Sequence, residues 1–291
     1  VCHAAEIAIV GAGPAGARAA ELLVRRGADV ALLDPDVPWE KPCGGGLTPP
    51  LFEEMPELAE VKDFAHPVER ARVELHGGTT REVGLWGALW IVSREALGRW
   101  QLERASRAGA RHMPTRVRRG ERTRRGWLLE TDGGRLEASY VVGADGAASI
   151  VRRFAAPAFR VEEVPTRVAY PRDPAPHPDA IVLRFFQGVA GYLWDFPRPD
   201  HRSVGLEVSS GGWRRAELDA RIDEYRAQVG ADAEPPRAGA VIGTAQLGHG
   251  DFSGLAGDRF ALLGDAAGLA DPFTGEGIRN ALRSAAPLAR G

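Results

Sequence analysis

Residues 6–16 read Glu6-Ile7-Ala8-Ile9-Val10-Gly11-Ala12-Gly13-Pro14-Ala15-Gly16. Four consecutive apolar residues make a short buried strand, and the glycines after them form G-x-G-x-x-G where a strand hands over to a helix. Gly11 permits the tight turn, Gly13 lets backbone approach a pyrophosphate, and Gly16 lets helix and strand pack closely. Residues 15–26 have helical composition, with Ala15, Ala19, Leu22 and Leu23 on one face, and Gly27 stands where a capping glycine belongs. A second apolar run, Val30 to Leu33, ends in Asp34, 21 positions after Gly13. This is a strand–helix–strand unit whose strands must run parallel. Its helix N-terminus offers unpaired N–H groups to phosphates. Asp34 is placed either to accept hydrogen bonds from ribose hydroxyls or to sit as a solvated strand-end residue. The candidate cofactor-binding residues here are Gly11, Gly13, Ala15, Gly16 and Asp34, and they leave NAD and FAD both open.

The whole chain fits a soluble two-lobed enzyme. It has 291 residues, 44% hydrophobic and 26% charged, with 37 basic and 39 acidic residues for a formal charge of −2. No global field recruits nucleic acid or an anionic membrane. Only Lys41 and Lys62 among the basic residues are lysines, an arginine skew read as genomic composition. The basic stretch Arg116 to Arg125 lacks interleaved stacking aromatics and reads as a solvated strand face, so no nucleic-acid partner is expected. Cys2 and Cys43 cannot build a disulfide framework or a thiolate metal cage, and the seven histidines lack zinc spacing, so no metal site is expected. No apolar run reaches a membrane span, no cationic leader precedes the first strand, and Gly-x-Ser-x-Gly is absent. A cytoplasmic location with at most peripheral membrane contact is the expectation.

Working outward, a Pro- and Gly-rich loop fills 35–50, strands fill 66–92, and Ser93 caps a helix over 94–108. Residues 110–138 read as a β-meander with Asp132-Gly133-Gly134 as its hairpin turn. Tyr140 to Gly146 is a buried strand ending in an acidic turn. Prolines cluster over 157–178, strands follow at 180–208, and a helix at 213–229. A last core strand at 258–263 leads to a Gly-rich turn and a helix beginning near Gly275. The alternation of a nucleotide-binding pattern with an antiparallel pattern predicts two interleaved domains.

Two later motifs decide the cofactor. Val142-Gly-Ala-Asp145-Gly146-Ala-Ala-Ser149-Ile-Val-Arg152 and Leu263-Gly264-Asp265-Ala-Ala-Gly268-Leu-Ala-Asp271-Pro272-Phe-Thr-Gly275-Glu-Gly277-Ile278 resemble the two Asp–Gly boxes of the para-hydroxybenzoate-hydroxylase-like flavoproteins. The resemblance implies FAD, held in part by Asp145, Gly264, Asp265, Pro272, Gly275, Gly277 and Ile278. In that family the second aspartate holds the ribitol and the following helix faces the flavin pyrimidine. Arg94 resembles a position that contacts the dinucleotide, and equally fits a surface arginine. The implied fold is α/β: a Rossmann-like FAD-binding domain of glutathione-reductase type 2 over 1–65, 94–153 and 255–291, interleaved with an antiparallel-sheet substrate domain over 66–93 and 154–254.

Two further motifs point to the chemistry. Lys41-Pro42-Cys43-Gly44-Gly45-Gly46-Leu47 removes side chains over three positions, letting backbone lie against a planar group. In Tyr192-Leu193-Trp194-Asp195-Phe196-Pro197 strand alternation places the three aromatics on one face, where they serve either as core or as an apolar wall. Both resemble motifs of geranylgeranyl reductases, in which the first runs beside the isoalloxazine ring and the second lines the lipid cavity. The resemblance implies an FAD-dependent reductase of carbon–carbon double bonds on a prenyl or other apolar small molecule, with NAD(P)H or another electron donor as transient reductant. Candidate catalytic residues are Cys43, Gly44, Gly45, Tyr192 and Trp194, with Cys43 or an ordered water as proton donor; Cys43 and Gly44 are also implied to contact the FAD. Alternatives are a flavin monooxygenase (hydroxylase, or halogenase if either lysine served as its relay) and a flavin-binding electron-transfer protein. Geranylgeranyl reductases continue with further helices beyond the point matching Gly291, so either a minimal member or an incomplete chain is expected.

Overall fold

The first strand, Cys2–Val10, carries apolar residues on both faces and therefore needs cover on both sides, as strands of parallel sheets do. The computed structural model describes residues 2–75, 78–210, 213–231, 237–244 and 254–289; His76 and His249 lie outside the described residues. The chain divides into two units, Val1–Trp39 with Gly98–Glu163 and Ile242–Gly291, and Glu40–Leu97 with Val164–Val241.

In the first unit five parallel strands stand in the order Phe260–Leu262, Gly134–Gly143, Cys2–Val10, Val30–Leu33 and Arg111–Met113. Ala8, Val10, Ala31 and Leu33 face a cluster with Trp127, Leu129, Leu136 and Val151. Ile9, Val30 and Leu32 face the opposite cluster, with Ala15, Ala19 and Leu23 of the helix Pro14–Val24 and Ala105 of the helix Arg94–Ala108. The period-2 alternation of the strands thus feeds two separate cores. Gly27 follows the first helix at φ +90°, and its N–H donates to the Val24 carbonyl.

The meander is shorter than the sequence suggests. Val117–Arg122, Trp127–Thr131 and Gly134–Gly143 form it, with Asp132-Gly133 as the two-residue turn. Arg111–Met113 instead pairs parallel with Val30–Leu33, because it follows a crossover helix rather than a hairpin. The last core strand is trimmed to Phe260–Leu262, since Asp258-Arg259 forms the turn before it, with Arg259 at φ +60°.

The second unit is built on a sheet ordered Arg237–Thr244, Glu162–Ala169, Arg202–Ser210, Ala190–Pro197, Ala180–Phe185, His66–Leu75, Thr80–Ile91 and Gly46–Leu47. From Glu162–Ala169 to Gly46–Leu47 the pairings are antiparallel except that His66–Leu75 runs parallel to Ala180–Phe185. The helix Arg215–Gln228 covers one face through Leu218, Ile222 and Tyr225, packed on Leu193, Val204 and Leu206. No helix among the described residues is long and apolar enough to cross a membrane.

Under that helix lies a buried ion pair. Asp195 and Arg202, each 2% exposed, meet through Arg202 Nε to Asp195 Oδ1 at 3.1 Å and Arg202 Nη2 to Asp195 Oδ2. The Tyr225 hydroxyl donates to Asp195 Oδ2 at 2.9 Å, and burial beside that carboxylate raises the phenol's pKa. Removing the carboxylate strands a buried cation. Asp195→Ala is therefore expected to lower unfolding stability by about 3–5 kcal/mol, and Tyr225→Phe by about 1 kcal/mol, in urea titrations. A cost below about 1 kcal/mol for Asp195→Ala would contradict the pair's role in holding the aromatic strand.

Candidate active site

Register places the loops that follow the parallel strands. Val10 pairs with Leu33 and with Gly143, and Gly143 pairs with Leu262, so four strands end level. Gly11, Asp34, Ala144-Asp145 and Leu263-Gly264-Asp265 therefore leave the sheet at the same edge, the carboxyl end where open α/β sheets bind ligands.

The glycines divide by what demands them. Gly11 stands at φ +95°, and a Cβ there would lie 2.4 Å from the Ala144 carbonyl oxygen. A Cβ on Gly16 would lie 1.8 Å from the carbonyl oxygen of Gly11. Both are required by the protein's own packing. Gly13 is different: it has ordinary dihedrals (φ −66°, ψ −173°), and a Cβ there meets nothing within 4 Å. That open flank adjoins the N-terminus of the 11-residue helix Pro14–Val24, which has neither a side-chain cap nor an acidic residue in its first turn. Uncapped amides at Ala15 and Gly16 beside an open glycine fit a pyrophosphate.

Asp34 holds this cradle in shape. Its Oδ2 accepts the Ala12 N–H at 2.8 Å, and its Oδ1 accepts those of Asp36 and Val37 at 2.9 and 3.1 Å. Its backbone is tied to the neighbouring strand by its N–H to Met113 O and by His112 Nε2 donating to its carbonyl at 3.0 Å. Oδ2 retains capacity for a second donor, which a ribose hydroxyl can fill.

The first Asp–Gly box works inward. Asp145 accepts from the Ser149 hydroxyl and from the amides of Ile150 and Val151, capping the short helix Ile150–Ala155. Burial raises its pKa against those hydrogen bonds. Arg152, at the end of the box, ties it to the second one, since Nη1 donates to Ala266 O at 3.0 Å and Nη2 to Ala147 O. In the second box Gly264 stands at φ +54°, and a Cβ on Gly277 would lie 3.3 Å from Asp265 Oδ1. Pro272 and Gly275 belong to a turn organised by Asp271, whose Oδ1 accepts from Phe273 N, Thr274 N and the Thr274 hydroxyl. Burial would raise the Asp271 pKa, but these hydrogen bonds bring it below the usual range. The closing helix starts at Ile278 rather than near Gly275, because this turn occupies 271–277.

The second unit carries the Pro42–Leu47 loop and the aromatic strand, and these do meet. A Cβ on Gly44 would lie 2.7 Å from the ring of Phe196. Gly45, at φ +84°, would place a Cβ 2.1 Å from Val92 O, and Gly46 one 3.3 Å from Leu89 Cδ1. The three glycines thus let the loop lie flat on the protein itself. Trp194 is 3% exposed, seated on Gly205, where a Cβ would come within 2.1 Å of its ring, and its indole N–H donates to Ser203 Oγ at 3.0 Å. Trp194 is a core residue; Tyr192 and Phe196 on the same face are only partly buried.

A network not found in the sequence fixes the loop. The Cys43 carbonyl accepts from Arg198 Nη2 at 2.7 Å and from Ser203 Oγ at 2.8 Å. Arg198, with a fully buried side chain, pairs through Nη1 with Glu40 Oε1 at 2.6 Å and with His201 Nε2 at 2.9 Å. Glu40 also accepts from the Ser93 hydroxyl and from the amides of Arg94 and Glu95, closing the start of the helix Arg94–Ala108. Arg94 itself has a buried Nε without a partner among the described residues. The Cys43 thiol accepts the Gly45 N–H at 3.3 Å.

Cradle, strand-end carboxylate and two Asp–Gly boxes at one sheet edge define an FAD-binding α/β protein. A family model described as "FAD binding domain" matches residues 4–170. Menaquinone reductase of Mycobacterium tuberculosis is 30% identical over 310 residues, covering 96% of this chain and 74% of the relative. Geranylgeranyl diphosphate reductase of Rhodobacter capsulatus is 31% identical over 293 residues, covering 93% and 70%. In structure, a geranylgeranyl bacteriochlorophyll reductase-like protein of Thermoplasma acidophilum matches with TM-score 0.84 at 19% identity, over 100% of this chain and 78% of that one. A flavin-dependent brominase, Bmp2, matches with TM-score 0.77 at 16% identity, over 98% and 78%. The chain belongs to the geranylgeranyl reductase family of FAD-dependent oxidoreductases.

Two outcomes check the geometry. Gly13→Ala should leave the melting temperature of the apoprotein unchanged while weakening FAD binding about tenfold or more, some 1.4 kcal/mol. Equal FAD affinity in the variant would place the pyrophosphate elsewhere. Glu40 is a second case. Burial opposes its charge, but Arg198, Ser93 and the Arg94 and Glu95 amides hold its pKa below the ordinary glutamate value. Its contribution is therefore full above that value and lost as pH falls through the lowered one. Glu40→Gln should cost about 3 kcal/mol at neutral pH, with the gap to wild type closing in urea titrations run below the ordinary glutamate pKa.

Proposed function

We propose that this FAD-dependent oxidoreductase reduces a carbon–carbon double bond in the polyprenyl part of an apolar substrate. What carries the reading is the Cys43–Gly46 loop, clamped at the Cys43 carbonyl and laid on Phe196, in a chain that is 30–31% identical to proteins named as reductases of menaquinone and geranylgeranyl diphosphate. Those two named substrates share an isoprenoid chain with isolated alkenes.

The residues proposed to hold FAD are Gly11, Gly13, Ala15, Gly16 and Asp34, with Arg94, Asp145 and the second box from Gly264 to Ile278. When bound there and reduced, FAD would supply the hydride for one alkene carbon. The chain itself must deliver the proton for the other carbon, because an isolated alkene has no group to hold a carbanion. Cys43 suits that role, since Sγ takes the Gly45 N–H as acceptor and its own S–H meets no acceptor among the described residues. The rings of Tyr192 and Phe196 supply large aromatic area to an apolar chain. NAD(P)H is the proposed reductant and a cytoplasmic, at most peripherally membrane-bound protein the proposed setting, since an isoprenoid lipid resides in a bilayer.

The test is anaerobic. Protein loaded with FAD and reduced with dithionite should regain its oxidised spectrum on adding geranylgeranyl diphosphate, which carries no quinone ring to accept the electrons, without oxygen. Cys43→Ala should slow that step about a hundredfold, within the range for loss of a general acid. A reduced protein that stays reduced until oxygen is admitted, and then consumes oxygen with substrate, would make it an oxygenase instead.

A further inference from the structure

We propose that Arg198, with Glu40 as its counter-ion, is a positioning residue that fixes the Cys43–Gly44 peptide, so that the Cys43 thiol and the Gly44 N–H are presented in one orientation. The inference rests on the reaction proposed above and adds to it the group that sets the loop.

A fully buried guanidinium is a poor device for stability alone, because desolvation offsets most of what its partner returns. Here it is spent on a carbonyl. Arg198 Nη2 and Ser203 Oγ occupy both lone pairs of the Cys43 oxygen at 2.7 and 2.8 Å. Ser203 is held in turn by the buried Trp194 indole N–H. Each clamp donor therefore sits on a side chain that is itself locked, through Glu40 on one side and Trp194 on the other.

A trans peptide directs its N–H opposite to its carbonyl. With the Cys43 oxygen gripped, the Gly44 N–H points away from the clamp, and it has no acceptor among the described residues. Charge-assisted hydrogen bonds at the oxygen polarise the peptide and strengthen that N–H as a donor. Fixing this plane also fixes the thiol one residue back, which is hydrogen-bonded to the Gly45 N–H. The groups facing Arg198 are Glu40, His201 with Asp200 behind it, and the Tyr170 ring at 5.6 Å. His201 accepts from Arg198 at Nε2 and donates from Nδ1 to Asp200 Oδ1 at 2.7 Å, which keeps its lone pair toward the guanidinium.

The experiment uses FAD-loaded protein and two readouts: the rate at which iodoacetamide alkylates Cys43, followed by peptide mass mapping, and anaerobic reoxidation by the alkene substrate. The double variant E40Q/R198M removes the pair together and so leaves no stranded charge. It should retain FAD, change the Cys43 alkylation rate about tenfold, and lower the maximal reoxidation rate toward a hundredfold without a matching rise in KM. R198K, which restores charge without the planar two-point grip, should recover the melting temperature and not the reoxidation rate. S203A, which removes only a hydroxyl, should move both readouts in the same direction by less, and it decides the matter if the double variant does not fold. Wild-type alkylation of Cys43 in R198K and S203A, or in the folded double variant, overturns the positioning role whatever the turnover. If no alkene reoxidises the wild-type protein, the proposed reaction falls, while the alkylation rates still decide the role of Arg198.

Discussion

The level ending of four parallel strands, at Val10, Leu33, Gly143 and Leu262, is the constraint from which the cofactor site follows. A shift of one strand by a residue would exchange its two faces and send its loop out of line with the others. The register is held from both sides, because each strand sends alternate residues into a different core. Once it is set, the glycine turn, the carboxylate of Asp34 and both Asp–Gly boxes converge without any further instruction. The polar groups at that edge are then used mainly on one another. Asp34 closes the glycine turn, Asp145 caps a helix, and Arg152 links the two boxes, so this edge is held in shape by the protein's own hydrogen bonds.

The second unit shows the same economy in how its strand and loop are held. Its aromatic strand divides its residues between two faces. Leu193 and Asp195 anchor it to the covering helix, while Tyr192, Trp194 and Phe196 face the other way. Phe196 supports Gly44, and Trp194 supports Ser203, so the strand sets the Pro42–Leu47 loop by both shape and hydrogen bonding.

What could be read in the sequence was whatever is local. The G-x-G-x-x-G turn, the hairpin expected at Asp132-Gly133-Gly134 and the alternation of residues 192–196 each depend on neighbours a few positions apart; the structure shows all three, with the hairpin turn one residue shorter because Gly134 pairs with Thr131. For the glycine triplet the sequence showed the absence of side chains but not what demands it inside the protein, since Phe196, Val92 and Leu89 occupy the space those side chains would need. The last helix starts at Ile278, later than the glycines at 275 and 277 suggest, because Asp271 organises a turn whose hydrogen bonds no periodicity announces. Glu40 and Arg198 carry no sequence motif that signals their pairing. They lie 158 positions apart, and one arginine among 35 carries no mark of being buried. The available hint was their placement, an acidic residue just before the Pro-Cys-Gly loop and an arginine just after the aromatic strand.

The most direct measurement of the proposed reduction is the mass of the product formed from a polyprenyl substrate by the FAD-loaded protein, with NADPH as reductant under oxygen-18 gas. The expected product has gained two hydrogens and no labelled oxygen. A product carrying the label would contradict alkene reduction, and would mean that this loop and this aromatic strand serve oxygen chemistry.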